Sequence, residues 1–210
     1  MKKPDTCAAC PYSKTGFGFV PDDPGQNPLI AIQLEAPGEE EALRGIPLCG
    51  RSGRFWVDYL IAPLGLKRED VLISNTIRCR PPNNKYPTGD LRRDAEAFCR
   101  QYDAALAAFA PDLFVVTLHP SALLRQKAYT RLVIRDLSVA VEKAREGFRP
   151  LVLMGETAMN LRAPWLGQGV TKWRGHWWLG DLQSAARTPR RADAANPNES
   201  GALAFAEASQ

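Results

Sequence analysis

Short, mainly apolar runs alternate along this chain with longer stretches whose apolar positions recur every three or four residues. The runs fall at 28–32 (PLIAI), 71–77 (VLISNTI), 113–118 (LFVVTL) and 151–154 (LVLM). Each is short, rich in branched side chains and followed by turn-forming residues, which predicts buried strands rather than helix segments. Between them, Ser52 can cap a helix that carries Phe55, Trp56, Tyr59 and Leu60 on one face and ends near Pro63. Asp90 opens a longer helix with Leu91, Ala95, Phe98, Cys99, Tyr102, Leu106 and Phe109 in register. A further helix is expected over 129–145, and a short one after Gly155 through Met159. Apolar strands separated by helices predict an α/β fold, a parallel sheet covered on both faces.

The remaining stretches bound the domain. Up to Gln26 the chain is rich in Cys, Pro, Gly and Asp and reads as irregular. The Gly, Trp and Lys residues between 165 and 182 fit a hairpin or irregular ends. Beyond Gln183 nothing is periodic, so a single domain over 1–183 and a disordered tail over 184–210 are expected. The length of 210 residues, 45% of them hydrophobic and 24% charged, suits one full core. No run of about 18 apolar residues occurs, and no apolar segment follows the basic N-terminus. A cytoplasmic monomer with reduced thiols and no membrane partner is therefore expected.

The net charge of +4 permits a polyanionic partner without requiring one. Arginines pair at Arg51 and Arg54, Arg78 and Arg80, Arg92 and Arg93, and Arg125 and Arg131. They read as solvated surface unless a shared place beside a site makes them phosphate contacts.

Five cysteines in a reducing compartment point to metal ligation or buried thiols. Cys7-x-x-Cys10 can present two thiolates to one metal centre, a spacing for which zinc, redox chemistry and coincidence compete. Cys79 ends a predicted strand, and Cys99 lies on an apolar helix face where a buried thiol is ordinary. Four thiolates are what a 4Fe–4S cluster requires; Cys49 reads as a bystander. Other candidates stand where strands end, and loops at the carboxyl ends of parallel strands line the usual site. His119 follows the third run. Asn75 interrupts the second, where a buried amide finds partners or costs about 1–3 kcal/mol. Glu35 follows the first, with Glu39, Glu40 and Glu41 around Pro37-Gly38.

Whole segments around these residues resemble one family. The stretches 34–41 (LEAPGEEE) and 45–53 (GIPLCGRSG) resemble the first motif of the family 4 uracil-DNA glycosylases. Likewise, 73–82 (ISNTIRCRPP) resembles the second motif, 119–125 (HPSALLR) the last, and 170–175 (VTKWRG) a stretch near the family's C-terminal half. The resemblance implies a three-layer α/β/α fold with a short four-stranded parallel sheet, and a 4Fe–4S cluster on Cys7, Cys10, Cys79 and Cys99. It implies hydrolysis of the bond joining uracil to deoxyribose in DNA, the first step of base excision repair. Asn75 would then read the uracil edge, with Ala36, Pro37, Gly38 and Leu48 around the base. His119 would act as donor to the departing uracil, and Glu35 or Glu41 would favour the cationic sugar or orient water. Arg125 would wedge the gap left by the flipped base, with Ser121, Arg51 and Arg80 as further DNA contacts.

The chain departs from the family at three points. Leu34 stands where a glycine usually precedes the glutamate, which crowds the pocket. Leu48 stands where an aromatic stacks on uracil, which weakens stacking. Finally, the strand over 151–154 and the 170–175 stretch follow the histidine motif here, whereas in the family they precede it. Either two strand–helix units exchange order while keeping their places in the sheet, or the rearranged sequence folds poorly. The connections after Gln126 and before Pro150 are long enough for the first. An active glycosylase is the leading expectation. A non-enzymatic or weakly active iron–sulfur DNA-binding protein of the same fold is the alternative that Leu34 and Leu48 motivate, and a zinc-binding structural module is what the CxxC pair alone allows.

Overall fold

The structure is a computed structural model that describes residues 2–155 and, as backbone, 177–179. The expected tail over 184–210, the short helix through Met159 and the 170–175 stretch lie outside the described residues. All four apolar runs form strands: β1 (Ile30–Leu34), β2 (Val71–Asn75), β3 (Leu113–Thr117) and β4 (Pro150–Met154), each buried along its whole length. A short β5 (Trp177–Leu179) completes a five-stranded sheet of order β2-β1-β4-β3-β5. The first four strands are parallel, and β5 runs antiparallel to β3.

Successive strand residues point to opposite faces, and each face buries its own core. Ile30, Ile32 and Leu34 join Val71, Ile73 and Val152 on one side. That side is covered by Trp56, Leu60 and Ile61, and by the Val133, Leu137 and Val141 stripe of α6 (Thr130–Arg145). Ala31, Leu72, Phe114 and Leu151 face the other way, where Leu106 of α4 (Ala104–Phe109) closes the layer. The result is the expected three-layer α/β/α arrangement. Among the described residues no helix is long and apolar enough to cross a membrane.

The sheet order accommodates the exchanged segments. The chain reaches β3 before β4, and β4 then inserts between β1 and β3. The connections β1 to β2 and β3 to β4 step the same way across the sheet, and their covering helices share one face. The β2 to β3 connection steps the other way with α4 on the opposite face. One handedness therefore serves all three crossovers, as right-twisted strands require, and both units remain in a single sheet.

Several local expectations are corrected. The helix from Asp90 is not continuous: α3 (Gly89–Cys99) gives way to one 3-10 turn over Arg100–Tyr102 before α4 begins. At the break Asp103 turns inward and accepts from Arg78 Nη2 at 2.6 Å. Arg78 itself is 1% exposed rather than solvated surface, with a second ion pair to Asp22 and further bonds to Ser74 Oγ at 3.3 Å and the Tyr102 carbonyl at 3.2 Å. The helix beyond α1 (Glu39–Arg44), α2 (Arg51–Phe55), is capped by Gly50 rather than Ser52 and runs on into a wider π-type turn over Trp56–Ile61. That turn rotates Tyr59 out to solvent, where it stacks on Phe55. A short α5 (Pro120–Arg125), shorter than periodicity detects, begins directly after His119.

Replacing Arg78 by Met leaves Asp22 and Asp103 buried without their counter-charge. It should lower the unfolding free energy by roughly 3–5 kcal/mol, read from the denaturant midpoint. Arg78→Lys keeps the charge without the two-pronged geometry and should fall between.

Candidate functional site

Loops leaving the carboxyl ends of the parallel strands converge on one cavity of about 360 Å³. The loop after β1 supplies Glu35, Ala36, Pro37 and Gly38, with Leu34 at its root. Asn75 enters from the end of β2, and His119, Ser121 and Arg125 from the β3–α5 junction. Asn75 is 1% exposed, and among the described residues its Nδ2 has no hydrogen-bond partner. A buried amide donor left unpaired costs about 1–3 kcal/mol, so this one is set to be satisfied by a group in the cavity.

His119 is the N-cap of α5, and Pro120 at the first helical position fixes the entry of the chain. The Ser121 backbone amide donates to His119 Nδ1 at 3.2 Å, and the Ser121 hydroxyl lies 2.8 Å from the same nitrogen. Nδ1 is thus an acceptor, and the neutral ring carries its proton on Nε2. Burial lowers the imidazole pKa from its ordinary 6.5; the nearby Glu35 charge opposes this and Arg125 reinforces it. The ring is therefore neutral around neutral pH and offers one N–H.

Gly155, just past β4, lets these groups approach. Its amide donates to the Thr117 carbonyl at 2.9 Å, and its φ is 95°. A Cβ there would stand 3.1 Å from Glu35 Oε1 and 3.3 Å from His119 Cβ. Glu41 also lines the cavity, but both its oxygens are engaged. Oε2 accepts from the Gly38 amide and Oε1 from the Leu48 amide, so the carboxylate braces the loop between them. Burial pushes its pKa up, against these two amides that lower it. Leu48 is held in the left-handed region with φ 48°, and Gly53 passes so close that a Cβ would meet the Leu48 carbonyl oxygen at 1.7 Å.

Arg125 is exposed at the cavity rim. Arg51 is exposed at the start of α2, and Arg80 bonds Asn84 Oδ1 at 2.9 Å and pairs with Glu39 at 3.4 Å; neither lines the cavity. Sequence reasoning missed Ser52, Asn84, Tyr86 and Gly155 as neighbours of the site. Tyr86 carried one faint signal, an isolated aromatic in the otherwise polar loop 81–90.

The cysteines occupy a second place, beyond β2. Cys7 and Cys10 sit on and after a 3-10 turn over Asp5–Ala9, and the Cys10 amide donates to the Cys7 carbonyl at 2.9 Å. Cys79 lies under Gly16, where a Cβ would stand 2.4 Å from its Sγ, and Cys99 closes α3. All four are free and buried, and Cys10, Cys79 and Cys99 share a small core with Tyr12, Ile77 and Ala95. Burial raises the Cys79 thiol to about 12, and Cys99, Cys10 and Cys7 push in the same direction. Cys99 is likewise raised to about 11, by burial first. Among the described residues no three His, Cys, Asp or Glu side chains are grouped tightly enough for one metal ion. The four buried cysteines match in donor type the four thiolates that an iron–sulfur cluster takes.

The chain matches the family model described as uracil DNA glycosylase superfamily over residues 23–138. It is 31% identical to a type-4 uracil-DNA glycosylase of Thermotoga maritima, over 64% of this chain and 87% of that protein. It is 37% identical to one of Archaeoglobus fulgidus, over 47% of this chain and 50% of that protein. With one of Saccharolobus solfataricus the identity is 39%, over 40% of this chain and 39% of the relative. The chain thus spans half or less of the length of these last two relatives.

The crowding at Gly155 can be separated from its backbone strain. Gly147 has φ 103° but open space around it. Gly147→Ala and Gly155→Ala should each cost roughly 1 kcal/mol of stability. Only Gly155→Ala should shift the His119 ring resonances in ¹H–¹⁵N spectra; unshifted resonances would mean the contact relaxes without moving the histidine.

Proposed function

Because the chain belongs to the uracil DNA glycosylase superfamily, we propose that it hydrolyses the N-glycosidic bond of uracil in DNA. The observation that carries this reading is the convergence of the unpaired Asn75 amide and a neutral His119 on one cavity. Uracil in a duplex is out of reach, so the nucleotide is extruded into the cavity before reaction. The Asn75 side chain offers a donor and an acceptor to the uracil edge, a pattern that the exocyclic amine of cytosine reverses. Ala36, Pro37, Gly38 and Leu48 enclose the base.

The bond between the sugar carbon and the base nitrogen breaks with its electron pair going to uracil. The His119 N–H meets the oxygen on which that charge gathers, an interaction that strengthens only as the bond breaks. Water adds its oxygen to the sugar carbon, and Glu35 orients that water, takes its proton and offsets the positive charge on the sugar. Glu41 acts as a positioning residue through the loop it braces. Ser121 holds the His119 ring, Arg125 fills the gap in the base stack, and Arg51 and Arg80 meet phosphates.

The cysteine set Cys7, Cys10, Cys79 and Cys99 holds a 4Fe–4S cluster on this reading. Bound there, it supplies a cross-link between the N-terminal turn, the end of β2 and α3, and no chemical step passes through it.

Purified, cluster-loaded protein should release uracil from single-stranded or mismatched oligonucleotides and leave an alkali-labile abasic site. DNA binding without that product would replace this reading by the non-enzymatic alternative. His119→Ala should lower the single-turnover rate roughly 100- to 1,000-fold with little effect on folding. Since the neutral imidazole is the active form and burial lowers its pKa, the rate should stay flat as pH falls to 6.5 and drop only below it. An acid limb centred above 6.5 would contradict the assignment. Cys79→Ala should abolish absorbance near roughly 400 nm and reduce soluble yield. A colourless, folded and fully active variant would remove the cluster from the picture.

A further inference from the structure

Among the described residues that line the cavity, Tyr86 contributes the only benzene ring. It comes from the loop between β2 and α3, outside every motif singled out in the sequence. The ring is held from behind. Its hydroxyl is buried near the Glu96 carboxylate of α3, with no hydrogen-bond partner among the described residues. One turn earlier, the Arg92 guanidinium lies 5.8 Å from the ring centroid and bonds Glu96 Oε1 at 2.7 Å. The ring also packs, with Ala36, against the cysteine-lined core. Arg92 does not itself line the cavity. A tyrosine in a polar loop would otherwise swing in solvent; this one is fixed as a wall between the cavity and the thiols.

An extruded base is gripped by hydrogen bonds at its edge and by stacking on aromatic or apolar side chains. Asn75 serves the edge, and the other apolar lining groups, Leu34, Ala36, Pro37, Leu48 and Pro81, offer no π face. Resting on the proposed uracil chemistry, we infer that Tyr86 is a specificity-determining residue: the extruded uracil stacks on its ring. The Arg92–Glu96 pair serves the proposed site at one remove, by holding that ring in place.

Free uracil and 5,6-dihydrouracil test this, since they share the N3–H and carbonyl edge but only uracil is a flat π system. As inhibitors of the holoprotein, uracil should bind roughly tenfold more tightly than dihydrouracil. Tyr86→Met has comparable bulk without a π face. It should shrink that gap to about twofold or less, with the melting temperature and the cluster absorbance unchanged. Nuclear Overhauser contacts from uracil H5 and H6 to the Tyr86 ring are expected in the wild-type complex and need no variant, so they decide the matter if Tyr86→Met does not fold. Wild-type protein that excises no uracil overturns both this inference and the function it rests on. Wild-type protein that excises uracil, while Tyr86→Met keeps the full gap or the contacts are absent, overturns this inference alone.

Discussion

One buried guanidinium ties the N-terminal segment and the break between α3 and α4 to the sheet. Arg78 reaches Asp22 in the N-terminal segment, Ser74 on β2 and Asp103 at the break between α3 and α4. Those three segments also carry or flank the cysteines. A charge at this depth is costly unless paired on both sides, and that cost makes the arrangement specific. The N-terminal segment meets β2 and the loop after it through isolated bridges, Phe17 with Arg80 and Asp23 with Ile73, and it buries Tyr12, Phe19 and Val20. Its path is set by these contacts together with the buried ion pair and the thiol core.

The sheet imposes the second constraint. Four parallel strands send all their carboxyl ends to one edge, so residues distant in sequence meet there whatever order the chain visits them in. Exchanging two strand–helix units therefore changes the connections and leaves the convergence intact. Insertion of β4 between β1 and β3 puts Gly155 between the loop carrying Glu35 and the residue His119. A glycine is required there because the backbone lies at positive φ and both neighbours stand within van der Waals reach.

Within the cavity, two carboxylates close in sequence take different places. Glu41, on α1, has each oxygen engaged by a backbone amide, and Glu35, just after β1, stands beside Gly155 and His119. His119 gains its tautomer from an ordinary helix cap, so the device that begins α5 also decides which ring nitrogen keeps the proton. Tyr86 shows the same economy, being at once part of the cysteine core and part of the cavity wall.

Sequence periodicity sufficed for the strands, because a strand buried on both faces is apolar over most of its length, and for the layers that follow from strands alternating with helices. Motif resemblance marked Asn75, His119 and the four cysteines, since those chemistries need particular side chains at particular strand ends. The break after Cys99 was not legible: the apolar spacing runs on unbroken, and only the distant Arg78 turns Asp103 inward. Nor was the separation of Glu41 from Glu35, which depends on the amides of Gly38 and Leu48 folding back onto one carboxylate. The place of β4 was open as well, because order along the chain does not determine order across a parallel sheet; crossover handedness and packing on both faces do. What only the tertiary structure decided are contacts between segments far apart in sequence, and no local pattern encodes those.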